Sequence, residues 1–158
     1  MSEYGAFSGA VTDTATSTQG VSSIGQLGAL RFEPDGRVYR CVKATNLQVV
    51  GQFCAYSGNP SPWLVTSTTA DEGLVAGLNV AAIPASGFGW ILVSGEGEAK
   101  PGAAITAGKP VSIDSTDGML EDATGSAAEA AMAVGVAIDE ATGDVTPALI
   151  TVWVRGLI

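Results

Sequence analysis

Short runs of aliphatic and aromatic residues, each ended by a glycine-rich turn, recur along the chain from Leu30 onward. The clearest example is Ala82–Gly97, in which one glycine-bracketed turn precedes Trp90–Val93 and a second glycine turn, Gly95–Gly97, follows. Glycines permit backbone angles that a Cβ would penalise, and the residues between these turns favour a pleated, buried surface. The pattern therefore predicts β-strands joined by tight turns.

The N-terminal part of this region predicts a β-hairpin. Leu30–Phe32 and Val38–Ala44 flank Pro34-Asp-Gly36, a turn sequence in which Pro presets φ and Gly accepts a positive φ. Strands spaced by 8 to 15 residues with glycine turns between them are typical of a barrel or sandwich. The further predicted strands are Leu47–Tyr56 with a break at Gly51, Trp63–Thr66, Asn79–Ile83, Ala104-Ile105, Val111–Ile113, Met119-Leu120, Val134–Ile138 and Ala148–Val154.

Two segments carry weak helix signals. Ser126–Met132 begins with capping-box spacing, and Thr69–Glu72 has the same spacing but is followed at once by Gly73 and Gly77. Segments this short are marginal without tertiary packing, so we expect at most one helical turn in each. The predicted fold class is thus all-β, a small β-barrel or β-sandwich of short antiparallel strands with an extended N-terminal arm.

Residues 1–25 differ from the rest of the chain. They are rich in Ser, Thr, Gly and Ala, and their apolar residues recur with no sustained period. Such a segment buries too little apolar surface to offset the entropy of ordering it, so we expect a flexible arm that either orders against a partner or is a plain tail. The remainder, residues 26–158, is predicted to be a single β-rich domain. The apolar residues of the arm are Tyr4, Phe7, Val11, Val21 and Ile24.

Charge is distributed unevenly along the 158 residues. The net charge is −9, and all of it falls on residues 71–158, since residues 1–70 carry as many bases as acids. With seven cations in all, the chain is a poor binder of phosphate backbones, so no nucleic acid partner is expected. No apolar run approaches the length of a membrane span, so no membrane partner is expected either. The neutral N-terminal half is the better candidate for a docking surface.

The chain contains no histidine, which removes the usual general base near neutral pH and the commonest zinc ligand. Asp114, Asp117, Glu121 and Asp122 lie close enough in sequence to converge on a cation or to form a catalytic carboxylate pair, but a solvated hairpin end is the preferred interpretation. We therefore expect no enzyme and no cofactor. Cys41 and Cys54 are predicted on neighbouring strands, either as two buried free thiols, which we favour, or as a cross-hairpin disulfide.

The three tryptophans allow two interpretations. Trp63, Trp90 and Trp153 could form a carbohydrate-stacking platform, but Trp90 and Trp153 lie inside aliphatic strands, which favours core or interface positions. The bases Arg31, Arg37, Arg40 and Lys43 alternate with apolar residues on the predicted hairpin, so we expect them to share one outward face. Such a face could meet an acidic protein surface, although exposed bases on a strand are commonly only solvated.

Three segments together resemble the head decoration (capsid cement) proteins of tailed bacteriophages. They are Gly77–Gly95 (GLNVAAIPASGFGWILVSG), Ala104–Val111 (AITAGKPV) and Ala133–Ala137 (AVGVA), and their order and spacing carry the resemblance. It implies a small, commonly trimeric β-rich protein that binds the major capsid protein on the outer surface of the assembled head, at local three-fold positions. A virion location, with assembly in the host cytoplasm, follows from the same resemblance.

An N-terminal arm that reaches over neighbouring capsid subunits would be in keeping with this family, and under that hypothesis we name candidate contact residues. Tyr4, Phe7, Val11, Val21 and Ile24 of the arm are capsid-contact candidates, with Arg31, Arg37 and Arg40 as possible electrostatic partners. Trp63 and Trp153 are the first candidates for trimer contacts. The alternative function is a carbohydrate- or receptor-binding β module of a virion, in which exposed tryptophans recognise a glycan.

Overall fold

A computed structural model describes residues 27–57, 63–67, 74–113, 118–123, 133–142 and 149–156. The predicted arm (residues 1–25), Asp114, Asp117 and Ser126–Met132 lie outside these ranges. Ten strands and no helix occur within them. The strands are β1 (Leu30–Phe32), β2 (Val38–Ala44), β3 (Phe53–Tyr56), β4 (Leu64–Ser67), β5 (Val75–Asn79), β6 (Phe88–Ala99), β7 (Pro110–Ile113), β8 (Leu120–Asp122), β9 (Gly135–Ala137) and β10 (Ile150–Val154).

Five of the strands close into a barrel in the order β2-β4-β3-β5-β6, with β6 pairing back onto β2. Each contributes side chains to an interior of small and branched residues, because alternate residues of a strand point to opposite faces. Each of the five strands places at least one residue in this core, among them Val42, Cys54, Val65, Ala76 and Ile91. The prediction of an all-β barrel is confirmed, with one departure: β2 and β4 run parallel.

The remaining strands extend the barrel into a second sheet. β10 pairs with β6, followed by β9, β7 and β8, all antiparallel. A second core joins Val111, Leu120 and Val152 of this sheet to barrel residues whose side chains point out of the barrel, among them Tyr39 and Leu92. Trp90 lies in this second core and is 3% exposed, which confirms the interpretation of that tryptophan as a core residue.

The longest strand, β6, belongs to both parts of the molecule. Phe88–Ser94 pair with β2, and Gly95–Ala99 pair with β10. Gly95 sits at the change of partner with a φ of 108°. The predicted turn over Gly95–Gly97 is therefore wrong: glycine allows the strand to bend here without ending it.

The β1–β2 hairpin matches its prediction, with Gly36 at a φ of 88° in the turn. Other boundaries shift. The strand expected over Asn79–Ile83 lies four residues earlier, as β5, and Ile83 makes only an isolated bridge to Gln48. Cys41 on β2 and Cys54 on β3 are not on neighbouring strands as predicted, because β4 lies between β2 and β3.

Candidate functional site

A row of exposed side chains crosses the outer face of the second sheet. Backbone pairing sets Trp153 of β10 directly opposite Glu96 of β6 and opposite Val136 of β9, which in turn pairs with Pro110 of β7. Directly paired residues of antiparallel strands project to the same face. All four residues are exposed, so this face offers an aromatic centre with an acid on one side and apolar residues on the other.

Trp153 owes its exposure to the alternation of β10. Ile150, Val152 and Val154 point into the second core, so Trp153 points outward and is 50% exposed. Val136 and Ile138 share the face at 42% and 46% exposure. Large apolar side chains grouped in this way on a surface commonly mark a binding site.

A recess lies beside the indole ring of Trp153, on the side where Glu96 is found. It is lined by Trp153, Glu96, Asp35 and Arg37. Asp35 and Arg37 belong to the β1–β2 turn, where hydrogen bonds and an ion pair join them. Arg37 donates from Nε to Asp35 Oδ2 at 2.6 Å, its Nη2 lies 2.6 Å from the same oxygen, and its backbone N–H donates to Oδ1 at 3.1 Å. The hydrogen bonds from Arg37 lower the pKa of Asp35, and the carboxylate raises the pKa of Arg37 in return.

A larger groove of about 510 Å³ shares Arg37 and Glu96 with this recess and continues along β6 and β10 past Glu98 and Thr151 to Leu149. The Thr151 end is held in place by Asp139, whose Oδ2 accepts the Thr151 backbone N–H at 3.0 Å. Hydrogen bonds from the side chain and then the backbone of Thr151 lower the pKa of Asp139. Among the described residues, no ion pair includes Glu96 or Glu98.

The arginines predicted to share an outward face do not do so. Arg37 is exposed, but Arg31 and Arg40 are 6% and 8% exposed, so the prediction is wrong for those two. Arg40 lies two residues before Val42, so its side chain points to the same, barrel-interior side of β2. Arg31 forms an ion pair with Glu33, with Nε and Oε1 2.6 Å apart. As capsid-contact candidates, Arg31 and Arg40 are thus largely hidden within their own chain.

Trp63, a trimer-contact candidate, lies in a cluster within the chain. The guanidinium of Arg40 sits 5.0 Å from the centroid of its ring, and Tyr56 meets it edge-on with centroids 6.2 Å apart. Arg40 Nη1 also donates to the Tyr56 hydroxyl at 2.7 Å. Such aromatic and cation–π contacts fix the orientation of the indole ring. Sequence reasoning missed the partner Tyr56, because contacts between residues far apart in sequence leave no local signature.

The cysteines are both free and buried, which confirms the favoured interpretation. Burial raises the pKa of the Cys41 thiol to about 11 and that of Cys54 to about 12. The Cys54 thiol donates to the Gly77 carbonyl at 3.4 Å. Thiols with such a high pKa are not nucleophiles at neutral pH, so neither residue fits a catalytic role.

The acidic hairpin end is only partly described. Asp122 accepts hydrogen bonds from the backbone N–H of Thr106 at 2.9 Å and from its hydroxyl at 2.8 Å, which is a structural use of that carboxylate. No cluster of three Asp, Glu or Cys residues suited to a metal ion occurs within the described ranges. The arm candidates Tyr4, Phe7, Val11, Val21 and Ile24 lie outside those ranges.

The part of the chain that the structure describes holds no helix of the length and apolarity needed to cross a bilayer. Comparison with known proteins gives a likeness of fold. No protein-family profile matches the sequence, and no curated protein matches it either. Among solved structures, the chain is similar to the N base of the head fiber gp8.5 of bacteriophage phi29, with a TM-score of 0.54 and 16% sequence identity. The match covers 75% of this chain and 94% of that one, so the two share a fold over nearly the whole phage domain.

Proposed function

We propose that this protein is a structural component of a bacteriophage head, a decoration protein that binds the outer surface of the assembled capsid. The observation that carries the proposal is the shared fold with the base of a phage head fiber, which extends over 94% of that domain. The sequence resemblance to head decoration proteins, which rests on other features of the chain, points to the same place on a virion.

The charge distribution supports an orientation on the capsid. The acidic half of the chain includes Glu96 and Glu98 on the outer face of the second sheet, where acids remain well solvated. The neutral N-terminal half contains the arm. In the proposed arrangement the arm anchors the domain to capsid subunits, and the second sheet faces solvent.

The proposal includes trimers at local three-fold positions of the capsid. A trimer bound at many equivalent sites gains from multivalency, because the second and third contacts form at a high effective concentration. Each trimer would bridge subunits that internal pressure tends to separate. Light scattering of the purified protein gives the mass and tests this part independently of capsid binding.

Co-sedimentation with capsids that lack the protein tests the function itself. Saturable binding at a fixed ratio to the shell protein is expected, and a competent shell that binds none of the protein would contradict the proposal. Deletion of residues 2–25 should leave a folded β domain that no longer co-sediments. A Glu98→Gln variant with an intact arm, which changes an exposed residue on the face proposed to meet solvent, is the matched control and should bind capsids like the unmodified protein.

A further inference from the structure

We propose that the recess beside Trp153 is a glycan-binding site, in which the indole ring stacks against the apolar face of a hexopyranose ring. This inference goes beyond attachment to a capsid and does not depend on it. The site comprises Trp153, Glu96, Asp35 and Arg37, which surround a recess of about 310 Å³, at the lower end of the range for small-molecule sites.

The aromatic platform is the first element of the site. β10 presents Trp153 outward at 50% exposure, flanked on its strand by the buried Val152 and Val154. The strand is paired on both sides, by β6 and β9, so the backbone under the indole ring is fixed. A sugar ring with equatorial substituents has axial C–H groups on each face, and these pack favourably on an indole ring.

The polar side chains supply the second element. Sugar hydroxyls both donate and accept hydrogen bonds, and the recess offers both functions: Glu96 accepts and Arg37 donates. The contacts with Asp35 use Nε and Nη2 of Arg37, so Nη1 remains for a bound hydroxyl. Because Asp35 already orients Arg37, little side-chain entropy is lost when a sugar binds.

The length of the groove indicates an oligosaccharide. The recess beside Trp153 shares Arg37 and Glu96 with the larger groove, which runs along β6 and β10, past the Glu98 carboxylate and Thr151, to the apolar side chain of Leu149. The rise of a strand sets this path at about 14 Å from residue 149 to residue 153, which accommodates about two to three linked sugar rings. We therefore expect oligosaccharides to bind more tightly than monosaccharides.

The surrounding charges disfavour a two-fold contact in which the Trp153 face of one copy meets the Trp153 face of another. Glu96 and Glu98 line one side of the exposed face, and the half of the chain that forms it carries the whole net charge of −9. Two such faces brought together would place unpaired carboxylates close to each other, at an electrostatic cost. Neutral sugars incur no such repulsion.

The test uses the full chain with cellohexaose and chitohexaose, which present glucose and N-acetylglucosamine rings with equatorial substituents. Calorimetry and tryptophan fluorescence report binding, and sorbitol, which has hydroxyls but no ring, is the control solute. Trp153→Ala should weaken binding about tenfold or more, and Glu96→Gln about fivefold. Leu47→Ala, which changes an exposed apolar residue outside both the recess and the groove, is the matched control and should bind like the unmodified protein.

Three results would overturn the proposal. They are absence of saturable binding to either oligosaccharide, equal binding by Trp153→Ala, or an equal response to sorbitol. A fourth result would instead identify Trp153 as a subunit contact. In that case the unmodified protein binds no sugar, and Trp153→Ala changes the mass of the particle in solution. Because sugar binding is measured without capsids, its failure is distinguishable from failure of the capsid-binding proposal.

Discussion

The indole ring of Trp63 lies directly over Gly28. A Cβ built on Gly28 would come within 2.6 Å of Trp63 Nε1, and Gly28 also has a φ of 82°. Its backbone N–H donates to the Cys41 carbonyl at 2.8 Å, so the chain is bound to β2 at this point. The contact joins the residues just before β1 to those just before β4.

We predict that Gly28→Ala destabilises the fold by about 3 kcal/mol, because alanine adds backbone strain at positive φ and displaces the indole ring. Gly36→Ala is the matched control, since Gly36 has a similar φ of 88° but open space around its Cβ position. It should cost only about 1 kcal/mol. Urea denaturation monitored by circular dichroism measures both losses, and equal losses would show that Trp63 does not constrain residue 28.

The hydrogen bond between Arg40 and Tyr56 should contribute to stability through the buried guanidinium. Tyr56→Phe leaves a buried donor without its partner, so we expect a loss of about 1 to 2 kcal/mol. Combining Tyr56→Phe with Arg40→Met removes that unpaired charge. The double variant should therefore lose less free energy of unfolding than the sum of the losses in the two single variants. Strict additivity in this double-mutant cycle would contradict the coupling.

Gly95 should be required for the bend of β6. Gly95→Ala combines a φ of 108° with a Cβ position 3.0 Å from Arg37 Cα, a backbone atom that cannot move independently. The expected cost is about 2 to 4 kcal/mol. Gly108→Ala, at a φ of 80° with nothing within 4 Å, is the control and should cost about 1 kcal/mol. Thermal unfolding compares them, and a cost at Gly95 no larger than at Gly108 would disprove the requirement.

The buried thiols predict a loss of stability at high pH. The pKa of Cys41 and of Cys54 is raised from 9.0 to about 11 and about 12, so between those values the unfolded chain releases protons that the folded chain retains. Stability is therefore fully present below pH 9 and falls as pH rises, by up to about 1.4 kcal/mol per pH unit for each thiol. Burial also raises the pKa of Tyr39, which adds to the loss in the same direction.

Urea denaturation across this pH range measures the slope, and the Cys41→Ala/Cys54→Ala variant should show a shallower one. If this variant loses stability with pH as steeply as the unmodified protein, the thiols are not the cause of the loss. A thiol reagent should detect no reactive cysteine in the native protein at neutral pH and two per chain after unfolding.

Local patterns were sufficient to predict much of the fold. Alternation in the β2 segment and the Pro34-Asp-Gly36 turn gave the first hairpin, because both signals act over a few residues. Burial of Trp90 followed from its aliphatic neighbours. For Trp153, whose neighbours are equally aliphatic, the same rule left core and interface positions open, since alternation fixes that two faces differ but not which face is covered.

The remaining features depend on residues far apart in sequence. The parallel pairing of β2 with β4 and the exchange of partners along β6 are set by barrel closure, which no local pattern encodes. Arg40 was expected outside because charged residues usually are, yet Tyr56 and Trp63 stabilise it inside. The proposed glycan site likewise combines a turn near residue 36 with strands near residues 96 and 153.

The shared strand β6 also determines how the molecule responds to pulling. Its first half is bonded to the barrel and its second half to β10, so a force that separates the two cores must shear an uninterrupted strand of 12 residues. Shearing loads several backbone hydrogen bonds at once, whereas peeling loads them one at a time. The barrel and the second sheet should therefore rupture as one mechanical unit.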